Sequence, residues 1–141
     1  MKFKTVFIIV CLTAVWLGCS RPQNHQDGWY RGVFIDGDAI QVNVEFELKE
    51  SVVKNISFRH LKRDENYHLD TEKEPYRSVI EQYREALQYL VGKNIEVHID
   101  DLYEPGAIVE KEVDGYTAAT LRTNKVRSAI QDALNRGVYS R

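Results

Sequence analysis

With 141 residues and a hydrophobic share of 43%, the chain is long enough for one real core and short enough to make a single domain. A formal charge of −2, from 19 basic and 21 acidic residues with no stripe of lysine and arginine, excludes a nucleic acid as the natural partner. Two cysteines, Cys11 and Cys19, both close to the N-terminus, exclude a disulfide framework for the rest of the chain.

Lys2 and Lys4 precede an apolar run over 6–17, the layout of a secretory signal. The run is shorter than the ~20 apolar residues a membrane-spanning helix needs, and it ends in Leu17, Gly18 and Cys19. A small residue before a cysteine suits lipoprotein processing, in which cleavage leaves Cys19 to carry a diacylglyceryl anchor. Trp16 stands where a leucine-like residue is usual, so an uncleaved anchor and plain secretion remain alternatives. The expected division is a signal peptide over 1–18, a lipid-anchored tether over 19–28 and a domain over 29–141. The location that follows is the cell envelope, extracytoplasmic and membrane-anchored. Cleavage would leave 17 of the 19 basic residues, a mildly acidic mature chain without a free thiol.

Residues 20–28 are polar and read as a tether. Residues 29–35 are aromatic and branched, and Asp36, Gly37 and Asp38 supply turn chemistry, which predicts a hairpin. In the second run Ile40, Val42, Val44, Phe46 and Leu48 alternate with Gln41, Asn43, Glu45 and Glu47, the clearest strand signal in the chain. Residues 52–59 add Ile56 and Phe58 to the same buried face. Together they predict an antiparallel meander with one wet side.

The charged stretch 60–75 has no sustained period and predicts a long exposed loop of the kind that folds over ligands. Helical spacing returns over 76–91, where Val79, Ile80, Tyr83, Ala86, Leu87, Leu90 and Val91 share a face. Ile95, Val97 and Ile99 alternate like a strand, and 100–106 reads as a loop. A closing helix is marked by Val126, Ala129, Ile130, Ala133 and Leu134, with Thr123 or Asn124 as N-cap and Gly137 as C-cap. The fold class is α+β, an antiparallel sheet of about four strands packed by two main helices.

Before that helix stand Asp114, Gly115, Tyr116, Thr117, Ala118, Ala119 and Thr120, followed by Leu121 and Arg122. A helix start offers unpaired N–H groups and partial positive charge to an anion, and Arg122 and Lys125 would add side-chain charge. Ala118 and Ala119 permit close approach, and Thr117 and Thr120 supply hydroxyls. The same residues also read as an ordinary helix start capped by threonine.

Residues 114–120 are similar to the Asp-x-x-Ser/Thr-Gly-Ala-Thr signature of the FMN-binding domain family, which includes the covalent-flavin subunits of sodium-pumping NADH:quinone reductase and Rnf complexes. Residues 27–32 and 100–106 also look like its small exported members. The resemblance implies FMN as cofactor and Thr120 as the threonine whose hydroxyl takes the FMN phosphate. A separate flavin transferase would make that bond and would require Asp114. Thr117, Ala118 and Ala119 match the stretch along the phosphate and ribityl chain, with Leu121, Arg122 and Tyr116 beside it. The implied role is electron transfer between a membrane reductase or other redox partner and an extracytoplasmic acceptor, without stand-alone turnover. Ala118 replaces the family's glycine, so noncovalent FMN, or a flavin-free structural or ligand-binding lipoprotein of the same fold, remain alternatives.

Tyr67 and His60 are candidate caps for a flavin ring. His98 with Asp100, Asp101 and Glu104 resembles a metal cluster on paper but reads as solvated charge. His25, His60 and His68 show no ligand spacing, no metal is expected, and no Gly-x-Ser-x-Gly elbow supports hydrolysis.

Overall fold

A computed structural model describes residues 24–110, 113 and 116–140. The segment read as a secretory signal and Cys19 lie outside the described residues, within which no helix is long and apolar enough to cross a membrane. Three strands, β1 (Gly28–Asp36), β2 (Ala39–Lys49) and β3 (Val52–Leu61), pair antiparallel in the order β1-β2-β3. Helix α1 (Tyr76–Leu90) follows, then the short α2 (Ile95–His98), two 3₁₀ turns over Ile99–Tyr103 and Pro105–Ala107, and α3 (Tyr116–Arg136). The class is α+β as expected.

Val42, Val44, Phe46 and Leu48 supply the buried face of β2, and Tyr30 stacks on Phe46 at 5.3 Å. They meet Ile80, Tyr83, Ala86 and Leu90 of α1 and Val126, Ala129, Ile130 and Ala133 of α3 in one core. Ile40, expected on that face, is exposed. The register slips between Phe34 and Ile35 beside it, and the bulge takes the hairpin end off the core.

Helix α3 runs alongside β1 and touches it at Gly32. A Cβ on Gly32 would stand 2.0 Å from the Ala129 carbonyl oxygen and 2.4 Å from the Ala133 nitrogen, so the two backbones meet directly. Glycine facing two alanines one turn apart is what lets a helix lie this close to a strand.

The strand expected over 94–99 is helical from Ile95 onward, and the sheet among the described residues has three strands. The Asn94 side chain accepts from the Glu96 N–H and caps α2. Ile95 and Ile99 are buried while Val97 is 63% exposed. Three apolar residues at alternate positions fit a strand, but the outer two also stand four apart and share a helix face, and the cap decides between the readings.

The outer face of the sheet is drier than expected. Glu45, at its centre, is only 3% exposed. Arg31 (2.8 Å) and Arg59 (3.2 Å) pair with its carboxylate, and the Tyr139 hydroxyl bonds to it as well. Tyr139 arrives there because Gly137, left-handed at φ +80°, ends α3 and turns the chain back along β1. There the Tyr139 N–H donates to the Trp29 carbonyl at 3.0 Å. Arg31 lies over the Tyr139 ring at 4.7 Å. Ending the chain at Gly137 is therefore expected to cost about 2 kcal/mol, measurable by urea denaturation, from two lost hydrogen bonds and an uncovered carboxylate.

The last residues of the polar stretch before β1 are held in place. The Asp27 carboxylate accepts from the Glu50 N–H at 2.6 Å, and the His25 N–H donates to Ser51 Oγ at 3.1 Å. Glu50 and Ser51 form the β2–β3 turn with φ of 53° and 60°, a left-handed pair that needs such support in residues with a Cβ.

Candidate functional site

Residues 116–120 form the opening of α3, so this helix begins more than two turns earlier than its apolar face suggested. Asp114 and Gly115 lie outside the described residues, as do the side chains of Tyr116 and Thr117. Thr123 and Asn124, expected as N-caps, are well inside the helix. Thr123 is buried, and its hydroxyl donates back to the Ala119 and Thr120 carbonyls at 3.2 and 3.1 Å. This is the other way a threonine hydroxyl satisfies itself in a helix.

Ala118 takes ordinary helical geometry. The left-handed conformation that a glycine would favour is absent there, and alanine is the best helix former for such a position. Ala119 is buried, Ala118 and Thr120 are partly exposed, and Leu121 is 58% exposed. Helical side chains lean toward the N-terminus, so Thr120, in the second turn, leans over the first turn, whose N–H groups have no acceptor within the helix.

Helical geometry then divides the expected site residues between two flanks. Thr120 shares one flank with Asn124 and, a turn further, Arg127. Arg122, two positions from Thr120, points away from it, and Lys125 lies on Arg122's side. Arg122 is buried and donates from Nη1 to Gln82 Oε1 on α1. Lys125 Nζ donates to Gln41 Oε1 at 2.6 Å, lies 3.8 Å from Asp36 and stands 5.6 Å over the Phe34 ring. Burial pushes the Lys125 ammonium below its ordinary value. Asp36 opposes the change, and Arg63 and Arg122 reinforce it. The sheet end where α3 begins is thus a place of desolvated positive charge.

On Thr120's flank Arg127 is engaged, bonding Asp100 at 2.6 and 2.9 Å and stacking on Tyr103 at 4.3 Å. Tyr103 and Asp100 in turn wall a groove of about 440 Å³ shared with Tyr89, Asp101 and Ile108. Sequence reasoning gave no hint of Gln82 and Gln41 as partners of the cations, because both contacts join residues 40 or more apart in the chain.

Tyr67 and His60, suggested by sequence as flavin caps, have different surroundings. Tyr67 is a core residue whose hydroxyl donates to that of Tyr83 at 3.1 Å, and His60 lies exposed on β3. Burial, and then Tyr67, raise Tyr83 well above the ordinary tyrosine value, so it stays a neutral phenol. His98 Nδ1 contacts Asp101 Oδ2 at 2.8 Å, the same oxygen that accepts from Tyr89 at 2.5 Å. Among the described residues no three His, Cys, Asp or Glu side chains gather as a metal set.

The Tyr89 hydrogen bond, with that from His98, holds the Asp101 carboxyl below its usual 3.8. A lowered carboxyl stabilises the fold above the unfolded value and loses that contribution as pH falls through the folded one. Asp101→Asn is expected to flatten the acid side of the melting curve below about pH 4, by a small amount because the carboxylate is open to solvent.

A family model, the FMN-binding domain, matches residues 37–135, from the β1–β2 turn to the last turn of α3. No curated protein and no solved structure matches the chain.

Proposed function

This chain belongs to the FMN-binding domain family and takes FMN as its cofactor, and from that premise we propose that it is an exported flavin carrier for electron transfer. The phosphate would be esterified to Thr120. The observation that carries the reading is the position of Thr120 itself, partly exposed in the second turn of α3 and leaning over the helix start.

The residues present fit the group. The first turn offers N–H donors and the positive end of the backbone dipole to a phosphate diester. Ala118 and Ala119 keep side chains short where the chain of the cofactor would pass. Bound FMN supplies one- and two-electron chemistry, and the protein's part is to hold and orient it and exclude water. Arg122 and Lys125 shape the field at this end of the sheet from the opposite flank of α3. The tie to Gln82 fixes Arg122 against α1, and the tie to Gln41 fixes Lys125 against β2.

In this reading Cys19 carries the lipid that keeps the domain at the extracytoplasmic membrane surface. A flavin transferase loads Thr120, and a membrane reductase or other redox protein exchanges electrons with the domain. A covalent bond suits that location, since a lost flavin is not readily replaced outside the cytoplasm. The test is purification of the full chain after co-expression with a flavin transferase, followed by acid precipitation. A yellow pellet is expected. Colour passing wholly into the supernatant would overturn the ester and leave noncovalent binding.

A further inference from the structure

Asn124 carries an oxygen with no assigned use. Its Oδ1 is buried and has no hydrogen-bond partner among the described residues. The cationic side chains within three residues of it on α3 bond elsewhere, Arg127 to Asp100, Lys125 to Gln41 and Arg122 to Gln82. A buried amide oxygen left unpaired costs stability, so such an atom calls for a donor that arrives later.

Its place indicates which donor. Asn124 stands four residues after Thr120 on the same flank of α3, about 6 Å along the axis, and its side chain leans back toward the Thr120 turn. A phosphate ester on Thr120 would begin the ribityl chain, with its hydroxyls a few bonds from the Thr120 oxygen, one helical turn from Asn124. These hydroxyls are donors, and one of them would satisfy Oδ1. A phosphate diester has no proton to give, and the ring's own donor, N3–H, stands beyond the far end of the ribityl chain.

We infer that Asn124 is the residue that receives a ribityl hydroxyl of FMN and so fixes the direction in which the flavin leaves Thr120. The inference rests on FMN being held at Thr120. Asn124 is a positioning residue, acting on the polyol chain rather than on the ring.

The experiment compares Asn124→Ala, Asn124→Leu and Asn124→Asp with the natural chain, each with and without flavin, reading the melting temperature and the visible circular dichroism of the flavin. In flavin-free protein, Ala and Leu should melt at or above the natural temperature, because the oxygen they remove is unpaired. In loaded protein they should lose several degrees of the stabilisation that flavin confers and show a weakened flavin dichroism, while Asp, which keeps an acceptor, should retain most of both. Equal losses with and without flavin, or a flavin dichroism unchanged in all three, would overturn the inference. If Ala and Asp both fail to load while the natural chain loads, Asn124 serves the transferase rather than the cofactor, and the inference falls. If the natural chain itself carries no acid-stable flavin, the Thr120 ester fails separately. Titration with free FMN then decides. Asn124→Ala should weaken Kd by about tenfold, and an unchanged Kd would overturn the inference.

Discussion

Gly32→Ala is expected to destabilise the domain by about 3 kcal/mol or more, a large part of the 5–15 kcal/mol that holds a domain of this size. The added methyl would stand 2.0 Å from the Ala129 carbonyl oxygen, 2.4 Å from the Ala133 nitrogen and 2.7 Å from the Ala133 Cβ. Two of these neighbours are backbone, which no rotamer change removes. Helix α3 would have to lift from β1 by about an ångström, opening the layer in which Val126, Ala129, Ile130 and Ala133 meet the sheet. Thermal or urea denaturation gives the loss directly, and flavin loading at Thr120 should fall with it because the motif rides on the same helix. A variant as stable as the natural chain would show that α3 does not rest on β1 at Gly32.

Thr120→Val should abolish acid-stable flavin while leaving the fold standing. Valine keeps the branched shape and loses the hydroxyl, and Thr120 is only partly buried. The structure narrows the competition. Thr123 is 1% exposed and its hydroxyl is committed to two carbonyls, so it is no substrate for a transferase. Thr117→Val is the comparison, and it should keep acid-stable flavin because it keeps the Thr120 hydroxyl, at a lower loading because residue 117 belongs to the same motif. Colour retained by Thr120→Val and lost by Thr117→Val would move the ester by one turn of helix. Mass spectrometry of the tryptic peptides distinguishes the two.

Much of this molecule can be read from its residues, and the exceptions have physical causes. The alternation from Ile40 to Leu48 and the helical spacing from Val79 to Val91 each admit a single period, and both elements form, with only Ile40 and Val91 at their ends exposed rather than buried. Residues 95–99 admit two periods, and the Asn94 cap, a single side chain, tips the balance. The start of α3 was hidden because 116–122 lacks a sustained apolar stripe. Alanine and threonine sit there with little hydrophobic signal, yet alanine propensity and continuity with the packed turns carry the helix back to Tyr116. Within the motif the sequence suggests Thr120 and Arg122 together, whereas helical geometry puts them on different flanks, since neighbours in the chain need not be neighbours on a helix. Burial of Glu45 was illegible for a different reason. It depends on Tyr139, 94 residues away, being carried there by a glycine turn.

The antiparallel lie of α3 against β1 also gives the molecule a long axis with unlike ends. Asp27 is pinned to the β2–β3 turn and Tyr139 to Trp29, so the first and last described segments converge at one end. Thr120 lies sixteen helical residues before Arg136, roughly 24 Å toward the other end. Whatever restrains the chain before Asn24 therefore acts on the pole opposite the motif. A domain held by that pole would turn the end that carries Thr120 outward, with the length of α3 adding to its reach.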